Sequence, residues 1–350
     1  MEMYFFQPEE WDRIYLNGCR HYDIDIHPIE ERRHMKIGWS FIFLFVFYQS
    51  LYIPCLFAIW KHTKQSCYKL IFFIGITDCL CLFVNAFFTG YFSITGQVFC
   101  SNPHLNYWVG LTGTFLWVIE SSADLILAFN RCVEVTSPNV GDLLFKGNRT
   151  WYWLIPVSLY SLYFSYFTKP VTFSGLFVCY FFNPHAGYIE DFGESTYHNN
   201  LHSFHNMLIF FGVSGLYVVF VAVMVTKFFT FRGISTLSLA QRMTFFQVLA
   251  ISFFNGYAAG LYVYLQFVRV TQFLMYTATY SWTTAHGLPG LIYIALNKTI
   301  RDDCIRMFKG KFKLNDKHSS TSNARISTSN ARITPAITRT SVAELENTKE

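Results

Sequence analysis

The stretch from Trp108 to Cys132, WVGLTGTFLWVIESSADLILAFNRC, decides the fold. As a helix rising about 1.5 Å per residue, it is long enough to cross the roughly 30 Å hydrocarbon layer of a bilayer. Glu120, Asp124 and Arg131 interrupt its apolar run. With Leu127 they recur at steps of four, three and four, which places all three charges on one helical face. A charge at the bilayer centre costs about 3 kcal/mol on insertion scales, so this face must look toward other helices rather than lipid. The stretch therefore predicts a bundle.

Six further apolar stretches supply the partners: Ile37 to Trp60, Leu70 to Ile94, Trp151 to Phe167, Met207 to Phe229, Met243 to Phe267 and Met275 to Leu296. With Trp108 to Cys132 as span three, the chain reads as an all-α membrane protein, a seven-transmembrane helix bundle. The expected organisation is an outer amino-terminal segment (1–36), the bundle (37–296), a juxtamembrane amphipathic helix (297–313) and a disordered tail (314–350). Composition agrees, with 52% hydrophobic, 20% aromatic and only 14% charged residues, against the globular norm of about a quarter charged. The net charge of +5 sits in short loops and the tail rather than on a soluble basic face, so nucleic acid is excluded as a partner.

Orientation follows from the loop cations. Lys61, Lys64, Lys69, Lys146, Arg149, Lys227, Arg232 and Arg242 lie on one side, against Lys169 and Arg269 on the other. The richer side is cytoplasmic, and the odd span number places the amino terminus outside. Residues Met1 to Glu10 lack a basic flank and an apolar core, so no cleavable signal peptide is expected. Arg32, Arg33 and Lys36 before span one, and the sequons at Asn148 and Asn297, run against this orientation. Beyond the last span, Ile300, Cys304 and Phe308 fall at four-residue spacing among basic residues, as in a helix lying along the inner leaflet. From His318 the chain turns Ser/Thr/Asn/Arg-rich and repeats TSNARI at Thr321 to Ile326 and Thr328 to Ile333. Such a tail cannot bury enough apolar surface to fold and suits multi-site phosphorylation, with a kinase and arrestin as partners.

Few side chains in the spans bear chemistry. Asp78 in span two and Glu120 and Asp124 in span three form an expected interior polar or ion site, because neighbouring carboxylates at low dielectric share a proton or a cation. Arg131 with Glu134 three residues on forms a local ion pair that opening of the bundle would release to a cytoplasmic partner. Cys100 and Cys179 both fall in the outer, oxidising compartment and are expected to pair, with Cys19 the rival partner. His198, His202 and His205 are expected to form a surface or ligand-facing group rather than a metal site, since one outer cluster does not make the set of cytoplasmic boxes that membrane di-iron oxidases need. No phosphate loop or nucleophile elbow stands in an aqueous loop, so no catalytic residue, metal or cofactor is expected.

YIPCL at Tyr52 to Leu56, LAFNRCVEV at Leu127 to Val135, LFKGNRTWYWL at Leu144 to Leu154, FFNGYAAGLYVYLQF at Phe253 to Phe267 and LPGLIYIALNKTIR at Leu288 to Arg301 occur in order from span one to the juxtamembrane helix. Together they resemble the rhodopsin-like seven-helix receptors and, more closely, the nematode serpentine chemoreceptors of the Srt class. The resemblance implies a G-protein-coupled receptor at the plasma membrane of sensory neurons, in the cilium, activated by an odorant or pheromone-like small molecule. It places Arg131 in the family's span-three motif, Pro289 and Tyr293 in its span-seven motif, Asp78 near its span-two aspartate, and Glu120 where such receptors set a polar residue beside a sodium ion. The chain departs from the pattern at Asn130, which replaces an acid, at Tyr293, one residue farther from Pro289 than usual, at Cys100, farther than usual from Arg131, and in span six, which has no proline.

A receptor of this kind would bind its ligand among the outer thirds of spans three, five, six and seven, with Tyr107, Trp108, Phe115, Tyr257, Tyr276 and Tyr280 as the aromatic lining. The switch residues would be Arg131, Glu134 and Tyr293. The alternative is an inverted-topology ligand-gated cation channel of odorant-receptor type, favoured by Arg32 and the Asn148 sequon and opposed by the loop charges. A membrane enzyme using the histidine cluster is the third class.

Overall fold

Hydropathy and caps together set where the helices begin and end. A computed structural model describes residues 1–189, 194–230, 239–265 and 271–310; the tail, Arg232 and Arg269 lie outside the described residues. Span one is Met35–Lys61, and span two is Ser66–Leu82 continued through a π-helical turn, Phe83–Phe88, into Thr89–Thr95. Span three is Pro103–Thr136, span four Leu154–Phe167, span five Asn200–Thr230, span six Leu239–Tyr264 and span seven Gln272–Leu296. The juxtamembrane helix is Lys298–Phe308. Among the described residues, Ile29–Lys61, Ser66–Thr95, Pro103–Thr136 and Asn200–Lys227 are long and apolar enough to cross a membrane by length and composition.

Local chemistry starts the helices where polar side chains can take the orphan amides. The Asn102 carboxamide accepts from Leu105 N at 3.3 Å with Pro103 in the first turn, and Thr271 Oγ1 accepts from Leu274 N at 3.3 Å. Asn297 caps the juxtamembrane helix by accepting from Ile300 N at 3.2 Å. Its Nδ2 donates to Gln247 Oε1 at 3.3 Å and Tyr68 OH at 3.5 Å, so this sequon asparagine is a buried joint between spans rather than a glycosylation site.

Span three is the axis, packed against spans two, four and five, while span seven packs against spans one, two and six. At the end carrying Lys61, Lys69, Lys146 and Lys227, the juxtamembrane helix buries Ile300 and Cys304. Its Asp303 receives His62 Nε2 at 2.8 Å, Lys61 Nζ at 3.5 Å and Arg306 at 3.4 Å. Phe308 is exposed, as expected of an apolar residue facing a leaflet.

The opposite end is capped by two layers. Between spans four and five, strands β1 (Thr172–Ser174) and β2 (Cys179–Phe181) form an antiparallel hairpin with Phe173 opposite Tyr180. Over it and the head of span three lies the folded amino-terminal segment, whose Trp11, Ile14 and Tyr15 are buried with Phe99, Tyr107, Leu111 and Tyr197. Here the expected disulfide is corrected. Cys100 bonds Cys19, with Cα atoms 5.2 Å apart, and Cys179 is a free, buried thiol that burial pushes up to about 11. The hairpin has no need of a sulfur tether. The Asn106 side chain donates Nδ2–H to Phe173 O at 3.0 Å and accepts from Phe173 N at 2.7 Å, acting as a third strand. Beside it Gly110 has no side chain to block the strand; a Cβ there would sit 1.6 Å from Val171 O.

Candidate functional site

Under the hairpin is a cavity of about 510 Å³, within the range of roughly 300–1,000 Å³ typical of small-molecule sites. Span three contributes Gly113, Thr114 and Trp117, the hairpin Cys179 to Phe181, span five His202 and Asn206, span six Ala258 and Tyr262, and span seven Met275 and Trp282. The hairpin reaches span seven through Val178, whose carbonyl accepts from Thr279 Oγ1 at 2.9 Å. Val178 holds φ +52°, a region that costs a β-branched residue about 1–3 kcal/mol and persists only where its surroundings hold it.

None of the six aromatics expected to line the cavity does so. Tyr107 and Trp108 are covered by Tyr4 of the amino-terminal segment, at ring-centre distances of 5.3 and 5.4 Å. Tyr280 stacks on Phe41 of span one at 4.3 Å, Tyr276 lies 6.3 Å from His34, and Phe115 packs at the edge of an apolar cluster. Tyr257 turns outward and is 48% exposed. The lining rings are instead Trp117, Tyr180, Phe181, Phe182, Tyr197, Tyr262 and Trp282. The histidines also part company. His198 and His202 line the cavity, whereas His205 is buried between Ser121 Oγ at 2.9 Å and Tyr160 OH at 3.2 Å.

One helical turn farther in, span three places Glu120 and span seven His286, which the sequence reading missed. Asp78, Glu120 and His286 bring ligating atoms within 4.8 Å of one another, all buried. The proton positions follow from the partners. Trp282 Nε1–H only donates, and it donates to His286 Nε2 at 3.0 Å, so Nε2 is the lone-pair nitrogen. His286 Nδ1 therefore carries the hydrogen and donates to Asp78 Oδ1 at 2.8 Å, while Tyr52 OH donates to Asp78 Oδ2 at 2.6 Å. Both ring nitrogens are thus engaged, which leaves His286 no lone pair for a metal. Glu120 and Asp124 meet over Asn255 of span six, whose Nδ2 donates to Glu120 Oε1 at 3.4 Å and to Asp124 Oδ2. Glu120 Oε2 has no hydrogen-bond partner among the described residues.

At the inner end of span three Arg131 Nη1 lies 3.5 Å from Glu134 Oε2, the expected pair. Glu134 Oε1 also accepts from Ser66 Oγ at 2.5 Å and Asn130 Nδ2 at 3.2 Å. Asn130 thus helps join the Arg131–Glu134 pair to span two. Tyr293 is buried with Tyr52 and Leu127 in the inner core.

A cavity at the hairpin end of seven helices, a buried polar core beneath it and the Arg131–Glu134 pair at the far end fit a membrane receptor. The family profile for serpentine type 7TM GPCR chemoreceptor Srt matches residues 5–317. The chain belongs to that family and is a multi-pass chemosensory receptor, a class that is not enzymatic. A relative, serpentine receptor class T-55 of Caenorhabditis elegans, is 24% identical over 289 residues, covering 80% of this chain and 77% of that protein.

Proposed function

We propose that the chain is a G-protein-coupled receptor for a small molecule that binds in the cavity beneath the hairpin and opens the cytoplasmic face of the bundle. The carrying observation is the chain of contacts Trp282–His286–Asp78–Tyr52, at 3.0, 2.8 and 2.6 Å, which begins in the cavity wall and ends in span one. A ligand that binds better when Trp282 is displaced would shift the balance between two bundle states. Asp78, Glu120 and Asp124 would hold a shared proton or a cation in one of them. Release of Arg131 from Glu134, with repacking at Tyr293, would then present the arginine to a heterotrimeric G protein. The amino terminus is outside and the tail inside, at the plasma membrane of a sensory cilium, with a kinase and arrestin acting on the tail.

The test is nucleotide exchange on a heterotrimeric G protein in membranes carrying the full chain, with Arg131→Ala as the variant. Exchange should fall at least about tenfold, worth 1.4 kcal/mol, while an amino-terminal tag stains intact cells equally in both proteins. Exchange that survives the substitution removes Arg131 from the coupling role. A tag visible only after permeabilisation rejects the orientation.

A further inference from the structure

The cavity wall also carries information about what fills it. Among the described residues that line it there is no Asp, Glu, Lys or Arg. An ionised ligand would lose its hydration there and meet no opposite charge among the described lining residues, a combination that buried ions do not tolerate.

Several of the wall's polar atoms are already committed to protein partners. Trp282 Nε1 donates to His286, and Tyr180 OH donates to Val84 O at 3.2 Å and accepts from Thr89 Oγ1 at 3.3 Å. Thr114 Oγ1 donates to Gly110 O at 3.0 Å. Asn199 is committed at both ends, donating to Lys169 O at 3.1 Å and accepting from His202 N at 3.0 Å. These residues offer a ligand faces and edges, not hydrogen bonds.

Asn206 differs. Trp117 Nε1 donates to its Oδ1 at 3.0 Å. An indole N–H cannot accept, so this bond fixes which end of the amide is oxygen. The Asn206 NH2 group is left over in a residue only 1% exposed, on the cavity wall, with no bond to another described residue. A buried donor of this kind selects strongly for an acceptor.

We infer that the ligand class is an uncharged molecule with an apolar, preferably aromatic body and one acceptor oxygen, a ketone, ester or lactone, whose oxygen receives the Asn206 Nδ2 hydrogen between Trp117 and Trp282. This rests on the cavity being the ligand site, as proposed above, but not on G-protein coupling.

The experiment is binding to the purified full chain in lipid nanodiscs, read as the shift in thermal unfolding midpoint at neutral pH with four probes sharing a phenylalkyl body. Benzylacetone is the ketone, butylbenzene the hydrocarbon, hydrocinnamate the carboxylate and phenylpropylammonium the cation. Benzylacetone should bind about tenfold tighter than butylbenzene, and the two ions should bind more weakly than either. Asn206→Leu should bring benzylacetone down to the level of butylbenzene and leave butylbenzene unchanged, which also shows that the cavity survives. If that variant does not fold, the ketone-to-hydrocarbon ratio in the unaltered chain carries the test alone. Equal binding of those two probes, tighter binding of either ion, or no binding of any probe overturns the assignment. Loss of nucleotide exchange with probe binding intact would instead count against the coupling reading.

Discussion

The bundle handles polarity in opposite ways on the two sides of Trp117 and Trp282. Among the described residues, the cavity wall on the outer side has no residue of fixed charge. One turn farther in, Asp78, Glu120, Asp124 and His286 crowd together from spans two, three and seven, with Asn255 of span six and Tyr52 of span one holding the carboxylates. The inner side uses polar residues to tie one span to another, and an apolar contact could not fix the spans' rotation so specifically. The outer side ties its elements with neutral polar groups, as Trp117 to Asn206 and Tyr180 to Val84 show, and leaves a space whose shape is set by rings. The difference teaches where the fold is rigidly specified and where it waits for an occupant.

Breaking the inner pairing should have the largest effect. Asp78→Ala leaves the His286 N–H and the Tyr52 hydroxyl without their shared acceptor, at a cost of about 1–3 kcal/mol for each stranded donor. Little protein should reach the surface, and the unfolding midpoint in detergent should drop. The double change Asp78→Leu with His286→Leu should recover much of that loss because neither partner is stranded. A double variant as unstable as the single would show that the pair is not what holds spans two and seven.

The outer cap should respond next. Cys19→Ser or Cys100→Ser removes the cross-link, at about 2–5 kcal/mol, and the two changes together should cost no more than one. Cys179→Ser should leave the mobility on a non-reducing gel and the unfolding midpoint close to those of the unaltered chain. The reverse ranking would restore Cys179 as the partner of Cys100.

The smallest effect belongs to the exposed rim. Arg13 lies 2.5 Å from Glu10, and this pairing holds the Glu10 carboxyl below its ordinary 4.5. A carboxyl lowered in the folded state adds stability above its ordinary value and loses it as pH falls through the lower folded one. The pair lies at the solvent-facing surface, so Glu10→Gln should leave the unfolding midpoint at neutral pH unchanged within error. A clear shift that persists at pH 7 and vanishes in acid would mean that the cap is held electrostatically rather than by its buried rings.

Much of this was legible in the sequence, and the rest was hidden for definite reasons. Hydropathy marks the apolar stretches from which the bundle is built, and a formal charge inside an apolar run singles out Asp78, Glu120, Asp124 and Arg131. The Arg131–Glu134 pair follows from helical spacing. His286 and Asn255 escaped because a search for formal charge passes over neutral polar side chains; a search for any hydrogen-bonding residue within spans would have found both. The six expected rings do not line this cavity because, in a chain with 20% aromatic residues, a ring's place along a span does not tell which face it takes. Tyr180, Phe181 and Phe182 come from a loop outside the spans. Cysteine connectivity was open because three outer cysteines allow more than one pairing, and the choice depends on how the amino-terminal segment lies over Tyr107.

The Cys19–Cys100 bond has a mechanical consequence as well. With a sequence separation of 81, it closes a covalent ring around spans one and two. A pull on the amino-terminal end is therefore delivered straight to the head of span three and bypasses both intervening helices. A protease cut in the connection between those two helices, at Thr63 or Lys64, would leave the pieces joined, so the severed receptor would still run as a single chain until it is reduced.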